Sequence, residues 1–195
     1  MYNRVAKRLT TLLAENNVIR AEEADLYLYG FEMGLATIVG FVGMMLVGVI
    51  LNCYIECAVF LVAFLFLRQY AGGYHARNYL RCFWLSCGTV FLAMLSIKWS
   101  LAQSNILLLV VLGLVGTVVI WFLAPIGDPN KPLDELERVV YGRHSKLIVI
   151  IELLSASVCF WVGFYNIAVS IICAIITVAL TVCIGKVKLR LLCDL

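Results

Sequence analysis

Charge is scarce in this chain. Asp, Glu, Lys and Arg make up 14% of its 195 residues, where a soluble domain carries about 25%. Too few polar side chains remain to clothe a water-facing surface, which excludes a soluble globule. Disorder needs the opposite composition and is excluded with it. Proline occurs three times and glycine fourteen times, which excludes collagen and proline-rich linkers. With two histidines and no Cys-x-x-Cys pair, a zinc site lacks ligands, and no cofactor is implied. The alternation of apolar and polar residues that marks a membrane β-barrel is missing. No apolar core or small-residue cleavage site of a secretory signal occurs in residues 2–20, so the first span is expected to act as an uncleaved anchor.

What is present is apolar sequence in long runs: 64% of residues are apolar, and the mean hydropathy is +1.01. Six runs cover about 31–51, 54–67, 79–97, 105–126, 147–165 and 167–184, against a need for about 20 residues per span. The fold class expected is all-α: a polytopic membrane protein of about six transmembrane helices in a single membrane domain over 1–195. The second run is short before Arg68 and must tilt or draw interfacial residues into its span. Residues 1–20 place Val5, Leu9, Leu12 and Leu13 on one helical face and Arg4, Lys7 and Arg8 on the other. That pattern predicts an amphipathic helix in the membrane interface.

The basic residues orient the chain. Arg4, Lys7, Arg8 and Arg20 precede the first run, and Arg68, Arg77 and Arg81 lie between the second and third. Lys131, Arg138, Arg143 and Lys146 lie between the fourth and fifth, and Lys186, Lys188 and Arg190 follow the last. Only Lys98 falls on the other side, so the positive-inside rule puts both termini in the cytoplasm of a multi-pass cell-membrane protein. It also brings segments 68–80 and 127–146 to one face. Together they hold both histidines and two of the three prolines, which places function there.

Cysteine number is not a disulfide signal here, because Cys53, Cys57, Cys87, Cys159, Cys173 and Cys183 sit inside apolar runs and read as small packing residues. Cys82 differs. It opens the third run seven residues after His75, in the densest polar stretch of the chain, Arg68-Gln69-Tyr70-Ala71-Gly72-Gly73-Tyr74-His75-Ala76-Arg77. An imidazole beside a thiol can generate the nucleophilic thiolate and later protonate a leaving amine. Arg68, Arg77 and Arg81 would add positive potential around it. On one continuous helix His75 and Cys82 would share a face but stand ~10 Å apart along the axis. A catalytic pair therefore requires the Gly-Gly-Tyr-His segment (68–82 being the catalytic loop and start of the third span) to fold back over the helix. Adjacent glycines permit that. Backbone N–H groups around Gly72, Gly73 and Cys82, together with Arg68, are the candidate oxyanion donors and substrate-positioning groups. Glu32, Gln69 and Asn78 are the candidates for orienting His75. His144, between Arg143 and Ser145, reads as part of a solvated loop with no role indicated.

The string Arg68-x-x-Ala-Gly-Gly-Tyr-His75 with Cys82 beyond it resembles the signature of the accessory gene regulator B (AgrB) family. Ala124-Pro125 and Asn130-Lys131-Pro132-Leu133 resemble that family too, as do the length, the six runs and the amphipathic N-terminus. The resemblance implies a membrane-embedded cysteine endopeptidase of quorum sensing. Such an enzyme cuts the C-terminal part from an AgrD-like propeptide and helps close a thiolactone or lactone ring. It implies Cys82 as nucleophile, His75 as its base and acid, and a homodimer, for which Gly30-x-x-x-Gly34 offers a small-residue helix contact. The substrate would have an acidic end, which Lys131, Arg138, Arg143 and Lys146 could hold against the cytoplasmic face. A competing reading from another class is a small transporter or channel lined by the intramembrane carboxylates Glu32, Glu56 and Glu152, charges that are costly at membrane depth. Glu152 could instead pair with Lys146 or Arg143.

Overall fold

A computed structural model describes the chain outside residues 1, 17, 74–78, 103–105, 128–132 and 194–195. Among the described residues there are seven α-helices and no strands. Six of the helices, all but the first, are long and apolar enough to cross a membrane. The chain divides into two compact units, Met1–Leu46 and Val47–Leu195.

In the first unit, α1 (Tyr2–Glu15) is the amphipathic helix expected from the sequence. A short 3₁₀ turn at Ala21–Glu23 leads into α2 (Ala24–Ile50). That helix starts seven residues before the apolar run and takes in Tyr27 and Tyr29, amphipathic rings of the kind that settle at a membrane interface. Glu32, on α2, accepts a hydrogen bond from Asn3 Nδ2 at 2.6 Å.

The second unit begins in the last turn of α2 and contains α3 (Tyr54–Ala71), α4 (Tyr79–Ala102), α5 (Ile106–Leu123), α6 (Glu135–Val162) and α7 (Tyr165–Cys193). α7 is its axis and packs against each of the other four. Two thirds of its most apolar stretch (67%) is buried, against 33% or less in the others. Its buried face is built from small and β-branched residues, among them Ala168, Val169, Ala174, Val178 and Val182. α5 meets it through glycines: a Cβ at Gly113 would stand 2.7 Å from Ile172 Cγ2, and one at Gly116 would stand 3.3 Å from Ala179 Cβ. In a bilayer, where apolar surface alone gives helices little reason to associate, such close backbone approach supplies the dispersion energy.

Other boundaries differ from the sequence reading too, and at α3 and α6 the reason is a polar residue accommodated at the helix end. α3 runs through Arg68, Gln69 and Tyr70 to Ala71. Eighteen residues span ~27 Å, close to a hydrocarbon core of ~30 Å, so the short second run becomes a full span. α6 starts at Glu135, not in the next apolar run, because Asp134 caps it: its side chain accepts from Glu135 N at 2.8 Å, and Glu137 returns a capping-box bond to Asp134 N. Arg138, Arg143, His144 and Lys146 are therefore helical. The last turn falls at Gly163, left-handed at φ 94°, rather than at Tyr165-Asn166.

Candidate functional site

The end of α3 is held by its glycine pair. Gly72 N–H bonds back to Arg68 O at 3.0 Å, and Gly72 takes φ 72°, ψ −151°, a region open in practice only to glycine. The reason is contact as well as torsion. Ile126 N–H donates to Ala71 O at 3.1 Å, Gly72 and Ile126 form an isolated parallel bridge, and a Cβ on Gly72 would run into Ile126 O. Gly73, at φ 130°, lies against α7: a Cβ there would be 3.0 Å from Thr181 Oγ1 and 3.2 Å from Thr181 O. The Ala124–Pro125 bond before Ile126 is cis, and Pro125 abuts α6 where Gly142 leaves room, 3.2 Å from a Cβ built at Gly142. The Ala-Gly-Gly and Ala-Pro segments, more than fifty residues apart in sequence, are thus one structure.

These segments border a cleft of about 180 Å³, lined among others by Gln69, Tyr70, Gly72, Gly73, Pro125, Glu137 and Tyr141. One wall is aromatic. Tyr70 stacks on His144 with centroids 5.1 Å apart and planes 16° from parallel, and meets Tyr141 edge-on at 6.0 Å. His144 Nδ1 lies 2.7 Å from Val140 O; a carbonyl only accepts, so Nδ1 carries the proton. The loop reading of His144 is corrected by these contacts. A histidine and a tyrosine on segments far apart in sequence carry no local signal of their meeting.

Cys82 stands in the first turn of α4 and is exposed, whereas Cys53, Cys57 and Cys173 are buried. Arg68, in the last turn of α3, is near enough to interact electrostatically with Cys82, and its guanidinium lies 5.5 Å from the centre of the Phe64 ring. His75, Arg77, Asn78 and Lys131 lie outside the described residues. Arg138 and Arg143 are exposed on α6.

Of the three carboxylates within apolar runs, two are hydrogen-bonded to side-chain amides, and Glu152 lacks the pairing expected for it among the described residues. Glu56 accepts from Asn166 Nδ2 at 2.9 Å, and Glu32 is bound to Asn3 as described. Lys146 is turned onto the Trp121 ring, 5.0 Å from its centroid, a cation–π contact. It leaves Glu152 buried, with neither oxygen hydrogen-bonded among the described residues.

Fold and composition together define a multi-pass helical membrane protein, with an exposed cysteine at the mouth of one helix and a glycine-pinned cleft at the end of another. Residues 6–184 match the model of the family Accessory gene regulator B, and the chain belongs to that family. It is similar to "Putative AgrB-like protein 2" of Clostridium perfringens (strain 13 / Type A), 24% identical over 167 residues that cover 83% of this chain and 76% of the relative. It is also similar to "Putative AgrB-like protein" of Clostridium perfringens (strain SM101 / Type A), at 22% over 156 residues, 77% of this chain and 73% of the relative. No solved structure matches.

Proposed function

We propose that this chain is a membrane cysteine endopeptidase that cuts the C-terminal part from an AgrD-like propeptide and promotes its cyclisation to a thiolactone or lactone for quorum sensing. The observation that carries the reading is the exposed Cys82 in the first turn of α4, with the Arg68 cation of α3 in electrostatic range. Family membership supports the substrate class.

In the reaction, the Cys82 thiol gives its proton to His75 and its sulfur attacks the scissile carbonyl carbon, and negative charge builds on the carbonyl oxygen. Arg68 and backbone N–H groups at the glycine pair and at the start of α4 are the groups that would meet that charge; the first N–H groups of a helix have no partner within it. The C–N bond then breaks, and the leaving amine takes its proton from His75. The acyl group stays on Cys82 as a thioester. A Cys or Ser side chain of the same peptide attacks that thioester, closes the ring and frees the thiol. Thioester exchange is close to isoenergetic, so ring formation depends on keeping water away and on loss of the cut fragment. Holding the peptide's own nucleophile nearby supplies the remainder as effective concentration.

Arg138 and Arg143, with Lys131, would attract the acidic end of the propeptide on the cytoplasmic face. The enzyme would act as a homodimer with both termini in the cytoplasm.

The test is co-expression with the candidate propeptide. Cys82→Ala and His75→Ala should each lower cleavage by ~10³-fold or more, as loss of a nucleophile or its base does elsewhere. Undiminished cutting by both variants would end the endopeptidase reading.

A further inference from the structure

Away from the Cys82 region, a groove of about 520 Å³ runs between α3 and α6. Val62 and Phe66 of α3 and Ile148 and Ile151 of α6 line it, with Ile171 of α7. All of these are apolar, and the first two are more than half exposed. Glu152 is in the same lining, at 7% exposure, and both its oxygens lack a hydrogen-bond partner among the described residues. An apolar, lipid-facing groove needs no carboxylate for packing. A buried carboxyl group with nothing to bind is costly to a membrane helix even when neutral, and far more so when charged.

What could complete it is narrowed by depth and charge. Lys146, over Trp121, marks the interface by the usual Trp and Lys anchoring. Glu152 is six residues further along α6, ~9 Å deeper along the helix axis. The chain's own Lys146 is committed to Trp121. A lipid ammonium stays in the headgroup layer above this depth. A second copy in the same orientation carries its Lys and Arg near the ends of its apolar stretches, so it offers no cation here. An apolar helix of another protein can place a basic side chain at any depth its sequence dictates.

We propose that the α3–α6 groove docks a membrane-embedded apolar peptide segment of a partner protein that carries one Lys or Arg, with Glu152 as the partner of that cation. The apolar stem of the basic side chain lies along Val62, Phe66 and Ile151. Both Glu152 oxygens are sealed in the unliganded groove, so docking turns the side chain outward from the wall. The proposal does not rest on thiol chemistry, and Cys82→Ala leaves the groove untouched.

The experiment uses the full chain in nanodiscs of phosphatidylcholine, which has no net charge. Two synthetic membrane-spanning Leu/Ala peptides serve as probes, one with a single Lys at the depth of Glu152 and one with Leu in its place. Binding is read by energy transfer from a donor on the protein to an acceptor on the peptide. The Lys peptide should bind the wild type about three- to tenfold more tightly than the Leu peptide, the scale of a polar interhelical contact. Glu152→Gln, nearly the same in shape, should abolish that preference. Equal binding of both peptides to the wild type overturns the proposal, and so does a preference that survives Glu152→Gln. A tightly held lipid, seen by native mass spectrometry and excluding both peptides, overturns it in favour of a lipid site. Should Glu152→Gln fail to fold, the two peptides on the wild-type chain decide the matter alone.

Discussion

Gly72 is where torsion and contact coincide. Its φ of 72° disfavours any side chain, and its missing Cβ is the space that Ile126 O occupies. Gly72→Ala must either break the bridge to Ile126 or bear strain of about 1–3 kcal/mol. A lowered melting temperature in detergent and loss of the proposed propeptide processing are the expected results. Gly88 supplies the control: it is helical, a Cβ there would meet nothing within 4 Å, and alanine is the better helix former by about 1 kcal/mol. Gly88→Ala should melt no lower than wild type. The sequence signalled the glycine pair as a freedom for the following segment to fold back. The structure gives the pair a second task, fastening α3 to Ile126 and to Thr181 of α7.

Cys53 makes a second prediction at this scale. It lies between α2 and α3, donates its thiol to Leu51 O at 3.2 Å, and has its pKa raised, chiefly by burial, with Lys98 partly offsetting the shift and Glu56 adding to it. The thiolate is the form that alkylates, so a raised pKa leaves less of it at every pH. Cys53 should therefore label slowly near neutrality and gain speed only above the ordinary thiol range of about 8.5. Peptide mass spectrometry of maleimide-treated protein across pH measures this. Rapid labelling of Cys53 at pH 7 would contradict its burial.

Helix ends decide more than helix middles here. The hydropathy runs located six spans, but α3 and α6 each extend past their runs through residues that read as loop. Arg68 is favoured in the last turn of α3 by the helix dipole, and Asp134 with Glu137 caps α6 far ahead of its apolar stretch. Both extensions bring aromatic residues level with one another. The stack of Tyr70 on His144 thus ties the end of α3 to α6. Tyr70→Ala should cost about 1 kcal/mol beyond the lost surface, whereas Tyr70→Phe should keep the stack. A double-mutant cycle with His144→Ala, read by thermal melting, isolates the pair. Additive single losses would mean the two rings do not interact. The same element-level view explains Lys98, the basic residue that the positive-inside reading sets apart: its Nζ donates to Leu51 O at 2.8 Å at the end of α2, where a cation suits the unpaired carbonyls.

At the scale of the whole chain, the orientation drawn from fourteen clustered cations is a proposal open to a direct check. A thiol reagent that cannot cross membranes should label Cys82, the exposed cysteine at the start of α4, in inside-out vesicles and not in intact cells. Labelling of intact cells would reverse the topology and move the proposed chemistry to the outer face.

Composition and hydropathy by themselves determined that this is a helical membrane protein with six spans, because the bilayer imposes its demand one helix at a time. A run of about 20 apolar residues satisfies that demand whatever its neighbours do. The sequence also singled out Cys82 and the Ala-Gly-Gly segment as the place to look. Only the tertiary structure decided which distant residues meet: Gly72 with Ile126, Tyr70 with His144, Lys146 with Trp121, and Glu152 with nothing among the described residues. Those outcomes depend on how helices pack side by side. Packing is set by small residues and close contacts between faces, and no periodicity along a single helix records which face it will meet.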